Sequence, residues 1–352
     1  MNWHCAHPVA GAAMLSAAAI LSGCNRSGET AKESAAATSR ADSSSTPAAA
    51  SLPQQIADQM VHLNGGIHPG FRFNHAKGIV VRGSFTPTAE AKTLSRAAHF
   101  SGPVVPVTVR FSNAPGVPAN ADNDPRSGPR GMAIRFKLTG GGFTDIVSIS
   151  HNGFVVGTGE DFLAFFKAIA ASGPDAPHPS PIETFFGSHP SAAKFAMDVQ
   201  ARPKSYATAA YFGNNAFVFV DGQGKRQPVR YQIIPAAGVV NLDSAAASKQ
   251  GANYLQEELQ RRLAKEPVQF RLFAQLPNQG DPTKDGSIVW PADRKRILLG
   301  TIRLTKVEPN QEELQRSLAF NPIFLTNGIE LSDDPLVTLR SAVYALSVAH
   351  RH

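Results

Sequence analysis

Apolar and polar positions alternate with a period of two along much of the chain from residue 78 onward. Eight segments combine this alternation with β-branched and aromatic residues, and Gly, Pro, Asn or Asp separates them, so we predict eight strands. They span residues 78–85, 104–112, 132–138, 145–150, 211–220, 229–234, 268–276 and 297–307. Between the fifth and sixth, the segment Asp221 to Gly224 has the composition of a hairpin turn.

Four other segments carry helical spacing, and they fall between or after the strand groups. They cover residues 159–171, 191–202, 253–265 and 335–349. Antiparallel strands in two groups of four predict an α+β fold built on a closed eight-stranded β-barrel. We expect the flanking helices to lie outside it, with the last helix packed across one side.

Composition excludes several classes of protein. The chain has 352 residues, 42% of them hydrophobic, which is enough for a sizeable core. Its formal net charge is +7, but Lys and Arg are scattered without a basic run, which argues against a dedicated nucleic-acid binder. We find no Cys/His zinc spacing, no Gly-rich phosphate loop after a strand and no serine nucleophile elbow.

The N-terminal segment predicts the compartment. Residues 9–21 are apolar and run into Leu21-Ser22-Gly23-Cys24, which resembles a bacterial lipobox. We therefore expect a lipoprotein signal peptide at 1–23, a Ser/Ala-rich tether at 24–51, and one domain at 52–352. A lipid on Cys24 would anchor the protein on the periplasmic side of the bacterial envelope. The first seven residues lack Lys and Arg, which weakens the signal. An ordinary secretory signal with an incidental cysteine is the alternative.

Two pairs of residues carry the candidate chemistry. Arg340 and Tyr344 are four residues apart in a helical pattern, so they share one helix face. Tyrosinate is a ligand of haem iron, although most pairs of this kind are surface contacts. His75 directly precedes a predicted strand, where it could move a proton between the oxygens of a peroxide, and Ser112 could orient its ring. Ordinary structural roles are the alternative for both.

The same residues lie within a series of motifs that resembles the haem catalases in content and in order. The motifs are Arg72-x-x-His75-Ala76-Lys77-Gly78, Val109-Arg110-Phe111-Ser112, Asp124-Pro125-Arg126, Pro129 to Phe136, Asp281 to Lys284, Trp290-Pro291, Phe320-Asn321-Pro322 and Arg340-x-x-x-Tyr344. The match runs from about residue 55 to residue 352. Within this superfamily the short chain is similar to the catalase-related peroxidases, the minimal form of the fold.

The resemblance implies a haem b cofactor and assigns the reacting groups. His75 becomes the acid and base on the distal side of the haem, and Ser112 becomes its hydrogen-bond partner. Tyr344 becomes the axial ligand of the haem iron, and Arg340 would keep its phenol in the phenolate form.

The resemblance also implies how the rest of the haem is held. Arg72, Arg110 and Arg351 would pair with the haem propionates. Phe162 falls where a ring stacks on the haem, and Phe154 falls where one lines the distal pocket. For these two phenylalanines, packing in the core without haem contact is the alternative.

Departures from the catalase pattern bear on the reaction. Ile149 takes the position where catalases keep a distal asparagine, and isoleucine cannot hydrogen-bond a second peroxide. Asn152 lies close in sequence and could substitute for it, and Asn74 replaces the usual apolar residue beside the histidine. The N-terminal arm, wrapping segment and C-terminal domain of full catalases have no counterpart in the chain, so we expect wider access to the haem.

These departures predict a peroxidase that reduces hydrogen peroxide or organic hydroperoxides with a separate small-molecule reductant and has weak catalase activity. The alternatives are a true small catalase, a hydroperoxide-rearranging enzyme like the allene oxide synthases, and a carrier of haem or lipid without turnover. We expect a monomer or a homodimer.

Overall fold

Antiparallel pairing joins every strand in the part of the chain that the computed structural model describes, residues 50–199 and 201–351. The strands are β1 (Gly78–Pro87), β2 (Val105–Asn113), β3 (Arg130–Lys137), β4 (Phe143–Ile149), β5 (Arg202–Pro203), β6 (Tyr211–Val220), β7 (Arg226–Pro235), β8 (Asn241–Leu242), β9 (Val268–Gln275), β10 (Arg296–Val307) and β11 (Ile329–Leu331). Eight of them close a barrel in the order β6-β4-β3-β2-β1-β10-β9-β7, because β7 also pairs with β6. The short β11 extends β6 on one edge, and β5 and β8 form a separate pair.

All eight predicted strands are confirmed, with ends that differ by a few residues. The helices are α1 (Leu52–Leu63), α2 (Ala89–Leu94), α3 (Ala98–Ser101), α4 (Gly159–Ala170), α5 (Pro181–Ser188), α6 (Pro190–Asp198), α7 (Ser244–Ser248), α8 (Tyr254–Leu263), α9 (Gln311–Ser317) and α10 (Pro335–Ala349). The four predicted helices correspond to α4, α6, α8 and α10. The other six were not predicted, most of them because they are too short to build a helical period.

Alternation along β2 divides the barrel wall into two faces. Val109 and Phe111 point into the barrel, where they belong to its apolar core. Arg110 and Ser112 therefore point outward, yet both are buried. A layer of structure must cover this part of the outer face, because charged side chains are rarely buried against solvent-exposed strands.

Helices α1, α4 and α10 supply part of that cover. They pack on one another through a small apolar cluster that includes Ile56 and Met60 of α1, Leu163 of α4 and Val343 of α10. Proline at the start of α10 follows the cap residue Asp334, whose carboxylate accepts a hydrogen bond from the Leu336 amide at 2.9 Å. This cap fixes where α10 begins, and hence where its polar residues lie.

The predicted signal peptide, the lipobox cysteine Cys24 and most of the predicted tether lie outside the described residues. The predicted domain start at residue 52 coincides with the first residue of α1. Within residues 50–199 and 201–351, no helix has both the length and the apolar character needed to cross a membrane.

Candidate active site

One cavity lies between the outer face of the barrel wall and helix α10. It encloses about 1160 Å³ of empty space, part of which opens to solvent. All nine residues that the sequence predicted for the site line it: Arg72, His75, Arg110, Ser112, Phe154, Phe162, Arg340, Tyr344 and Arg351. Residues separated by up to 279 positions in the chain are therefore brought together, while their roles remain predictions.

Strand register sets one row of the cavity floor. Gly78 of β1 lies opposite Ser112 of β2, Ser112 lies opposite Gly131 of β3, and Gly131 lies opposite Ile149 of β4. Residues in one register row point to the same face of a sheet. The row thus alternates a glycine with a larger side chain, which leaves space above Gly131 and between Ser112 and Ile149.

The imidazole of His75 fills that space. Its Nδ1 lies 3.0 Å from the hydroxyl oxygen of Ser112. A Cβ atom on Gly131 would lie 2.8 Å from His75 Nδ1 and 2.6 Å from the Ser112 hydroxyl oxygen, so a larger residue there would displace the ring. The ring therefore needs Gly131 as its neighbour.

The backbone of His75 is also unusual. Its φ is +59°, and it is the one non-glycine residue with positive φ in the described part of the chain. This left-handed conformation is unfavourable for a histidine by about 1 to 3 kcal/mol. Hydrogen bonds stabilise it: the His75 amide donates to the Ala114 carbonyl at 2.8 Å, and Arg110 Nη2 donates to the His75 carbonyl at 2.8 Å.

Burial and nearby positive charge keep the His75 ring neutral. Desolvation, together with the guanidinium groups of Arg110, Arg340 and Arg72, lowers the pKa of His75 to about 3. At neutral pH the imidazole therefore has one ring nitrogen with a free lone pair, and it can accept a proton from a bound molecule.

Three arginines from separate parts of the chain converge at one end of the cavity. Arg72 precedes β1, Arg110 lies in β2, and Arg351 follows α10. In residues 50–199 and 201–351, none of the three lies within 4.0 Å of a carboxylate oxygen. Their hydrogen bonds go to neutral oxygens instead, and Nε of Arg351 is buried without a partner.

These uncompensated charges destabilise each other. Burial and the neighbouring arginines lower the pKa of Arg72 well below its usual value, and burial lowers the pKa of Arg110 to about 9. A buried cluster of like charges destabilises the fold unless an anionic partner compensates it. The cluster therefore indicates a ligand with one or more negative groups.

A chain of hydrogen bonds leads from a buried carboxylate to the phenol of Tyr344. The Asp334 carboxylate accepts from Asn215 Nδ2 at 2.8 Å, Asn215 Oδ1 accepts from Arg340 Nη1, and Arg340 Nη2 donates to the Tyr344 hydroxyl oxygen at 3.0 Å. Asn215 lies in β6, Arg340 and Tyr344 lie in α10, and Asp334 is the residue that caps α10. Arg340 thus reaches Tyr344 in the fixed orientation that a phenolate oxygen would need.

The remaining residues that the sequence singled out also have definite positions. Phe154 and Phe162 contact each other with ring centroids 5.2 Å apart, and both face the cavity. Ile149 and Asn74 line the cavity as well. Asn152 is not among the described residues that line it, so the expectation that it could replace a distal asparagine gains no support.

Sequence reasoning missed several residues that organise the site. Gln315 accepts a hydrogen bond from Arg110 through its neutral side chain, and Asn215 accepts one from Arg340 in the same way. Asp334 acts on Arg340 indirectly, because it accepts a hydrogen bond from Asn215. The pair Asn214-Asn215 inside a strand was a usable signal, since asparagine is depleted in strands. Here the register between β6 and β7 shifts between Gly213 and Phe217, which frees Asn215 from the regular ladder. No local pattern marked Gln315.

Comparison with known proteins finds relatives over most of the chain. The catalase family model matches residues 31–352. A catalase-related peroxidase of Mycolicibacterium paratuberculosis is 35% identical over 302 residues, which are 85% of this chain and 94% of that protein. A catalase-related peroxidase of Synechococcus elongatus is 34% identical over 81% of this chain and 85% of its own length.

Solved structures agree on the fold. A bacterial catalase superposes with a TM-score of 0.71 at 23% identity, over 85% of this chain and 60% of its own. Catalase A of Saccharomyces cerevisiae gives a TM-score of 0.71 at 22% identity, over 84% of this chain and 63% of its own. The chain thus spans about three fifths of these solved catalases.

The family match and the catalase-related peroxidases among its relatives show that the protein is an oxidoreductase that acts on peroxide. The chain belongs to the catalase family. This family depends on haem, and the cavity residues fit that group. The unpaired arginines suit its carboxylates, the apolar walls suit its ring, and the Tyr344 oxygen is a suitable iron ligand.

Proposed function

We propose that this enzyme is a haem b peroxidase that reduces hydrogen peroxide or organic hydroperoxides with electrons from a separate small-molecule donor and releases little oxygen. The observation that carries the proposal is the combination of a neutral, hydrogen-bonded His75 with Ile149 in the same floor of the cavity. The first group serves peroxide cleavage. The second offers no hydrogen bond to a second peroxide.

Bound haem would supply the iron that exchanges electrons with peroxide and donor. Arg72, Arg110 and Arg351 would hold its carboxylates, and Tyr344 would bind the iron through its phenol oxygen, which accepts a hydrogen bond from Arg340 Nη2. These contacts fix the position of the cofactor relative to His75. The surrounding protein then acts mainly on protons and orientation.

His75 would perform the proton transfer. Its neutral ring would accept the proton of one peroxide oxygen and return a proton to the other, so that water or an alcohol can leave. Overall, ROOH gains two electrons and two protons and gives ROH and H2O, with the donor oxidised. Ser112, 3.0 Å from Nδ1, holds the ring so that its other nitrogen faces the cavity.

Ile149 favours a peroxidase over a catalase. Dismutation uses hydrogen peroxide a second time, as a reductant, and this step needs the second peroxide in a defined orientation. An isoleucine side chain provides no donor or acceptor for that purpose. An external donor does not need the defined orientation inside the cavity that a second peroxide needs. Donor oxidation should therefore continue with isoleucine at this position.

Paired assays test this assignment. We expect the haem-loaded wild type to oxidise a chromogenic donor with peroxide much faster than it releases oxygen from hydrogen peroxide. Ile149→Asn should raise oxygen release relative to donor oxidation by about tenfold, the value of one added hydrogen bond in the cavity. Ile149→Val, which changes only packing, is the matched control.

Two outcomes would oppose the proposal. Vigorous oxygen release by the wild type would identify a small catalase that does not depend on a distal asparagine. Consumption of a fatty-acid hydroperoxide without any donor would identify a rearranging enzyme instead.

We also propose that the protein is anchored in the bacterial envelope by a lipid on Cys24. The lipobox-like segment Leu21 to Cys24 supports this location. Fractionation of cells should recover the wild type with membranes, and Cys24→Ser should move it to the soluble fraction or leave it unprocessed. Identical fractionation of both forms, with the same processed size, would contradict the proposal.

A further inference from the structure

Gln315 of α9 contacts all three arginines of the cluster. Its backbone carbonyl accepts from Arg72 Nη1 at 2.8 Å and from Arg351 Nη1 at 3.1 Å. Its side-chain oxygen accepts from Arg110 Nε at 2.6 Å. Arg72 and Arg351 share one further acceptor, the carbonyl of Leu318. One short segment after β10 therefore determines where three guanidinium groups lie.

The orientation of the Gln315 amide is fixed by its other contact. Nε2 donates to the carbonyl of Gly78 at 2.9 Å, and only the NH2 end of the amide can do so. The oxygen must then face Arg110. Gly78 has room for this arrangement only because it lacks a side chain, since a Cβ there would lie 2.6 Å from Arg110 Cζ.

The neutrality of Gln315 is the informative property. A glutamate would have the same shape and would place a carboxylate beside three buried cations. The two glutamates of α9, Glu312 and Glu313, are exposed, and Glu312 pairs with Arg316 at 3.2 Å. The helix therefore turns its acidic groups outward and its neutral amide inward.

We infer that Gln315 is a positioning residue that aims Arg72, Arg110 and Arg351 at the carboxylates of the cofactor while leaving their positive charge uncompensated. This inference rests on the proposed binding of haem. Neutral acceptors take hydrogen bonds from some of the N–H groups of each guanidinium. They do not compensate its positive charge, which stays available to the ligand. The apoprotein then carries the electrostatic cost of the cluster, and that cost is relieved when the anionic ligand binds.

Two variants separate orientation from charge. Gln315→Glu should compensate the charge of the cluster but lose the hydrogen bond to the Gly78 carbonyl, and haem affinity should fall by at least about tenfold. Gln315→Met keeps the size and neutrality but loses the side-chain hydrogen bonds to Arg110 and to the Gly78 carbonyl, so affinity should fall by about three- to tenfold. Gln256→Glu is the matched control, because Gln256 also donates to the Gly78 carbonyl yet contacts none of the three arginines.

The decisive readout compares haem with its dimethyl ester, whose carboxylates are blocked. Absorption titration of the apoproteins should show a strong preference for haem in the wild type, in Gln315→Met and in Gln256→Glu, and a loss of most of that preference in Gln315→Glu. A purely structural role would weaken both ligands equally and leave the preference unchanged.

The outcomes distinguish this inference from the proposed function. Wild-type apoprotein that binds no haem would overturn both. Normal binding by the wild type with an unchanged preference in a folded Gln315→Glu would overturn the inference alone. Should Gln315→Glu fail to fold, wild-type affinity in Gln315→Met would overturn it.

Discussion

Two buried histidines show how differently the same side chain is used on the two faces of the barrel wall. His99 of α3 packs within the barrel core, with ring centroids 4.0 Å from Phe100 and 4.8 Å from Phe136, and neither ring nitrogen has a partner among the described residues. His75 lies on the outer face beside Ser112 and the cavity. Burial lowers the pKa of both to about 3.

A lowered pKa therefore does not identify a functional histidine. His99 is neutral because it is desolvated, and it has nothing to exchange a proton with. His75 is neutral in a place where a ligand can reach it, with a hydrogen-bond partner, a left-handed backbone and a glycine that makes room for its ring. Geometry around the ring, more than its pKa, separates the candidate base from the core residue.

The largest effect is expected from removing the base on the cavity side. His75→Asn should keep the fold, because asparagine tolerates positive φ, and should lower donor oxidation by about 10² to 10⁴. Steady-state rates with peroxide and donor, on protein matched for haem content, measure this. Nearly unchanged turnover would remove His75 from the mechanism and erase the contrast with His99.

A smaller effect is expected when the ring of His75 is displaced without being removed. In Gly131→Ala the new Cβ would lie 2.8 Å from Nδ1, so the imidazole must shift. A displacement near 1 Å costs about 100-fold in rate. We expect that loss in turnover with haem still bound. Gly213→Ala is the matched control, because its new Cβ would lie 3.2 Å from the Tyr231 side chain and not beside His75.

Loss of the hydrogen-bond partner should have a milder effect. Ser112→Ala removes the 3.0 Å contact to Nδ1 while leaving the ring in place, so turnover should fall by about tenfold. Ser112→Thr keeps a hydroxyl and should retain more of the rate. Equal losses in the two variants would indicate that crowding, and not the hydrogen bond, limits the enzyme.

The smallest effect on activity is expected at His99. His99→Leu should leave donor oxidation unchanged and raise the free energy of unfolding by about 1 to 3 kcal/mol, since two unpaired nitrogens leave the core. Chemical denaturation measures the stability change. A loss of activity comparable to that of His75→Asn would contradict the distinction between the two sites.

The pH dependence of stability refines this point. The folded pKa of His99, about 3, lies below the ordinary value of 6.5, so the unfolded chain binds the proton first as pH falls. Stability is then complete above about pH 6.5 and is lost on acidification, by about 1.4 kcal/mol per pH unit per histidine. Between about pH 6.5 and 5, His99→Leu should reduce the change in the free energy of unfolding per pH unit by the contribution of one histidine. An unaltered slope would mean that His99 is not neutral in the fold.

Much of the fold could be predicted because its signal is local. Each long strand, such as β6, carries its own period-two pattern, and the hairpin at Asp221 to Gly224 forms where its turn residues predicted it. The short helices escaped prediction because a helix such as α3, from Ala98 to Ser101, has no full period. The candidate residues were found through ordered motifs, which periodicity alone would not have identified.

What could not be predicted depends on contacts between distant segments. Gln315 lies 205 positions from Arg110, and Asn215 lies 125 positions from Arg340, so no spacing rule links them. Gly131 was part of a recognised motif, but its purpose became clear only when strand register placed it under His75. Such residues are visible only after the barrel is closed.

The central claim, that the outer cavity holds haem through Tyr344, is tested most directly by absorption titration of the apoprotein with haem. We expect saturation at one haem per chain with a high-spin ferric spectrum in the wild type and in His75→Asn, and a clearly different spectrum in Tyr344→Phe. No uptake of haem by the wild type, or an identical spectrum in Tyr344→Phe, would contradict the account.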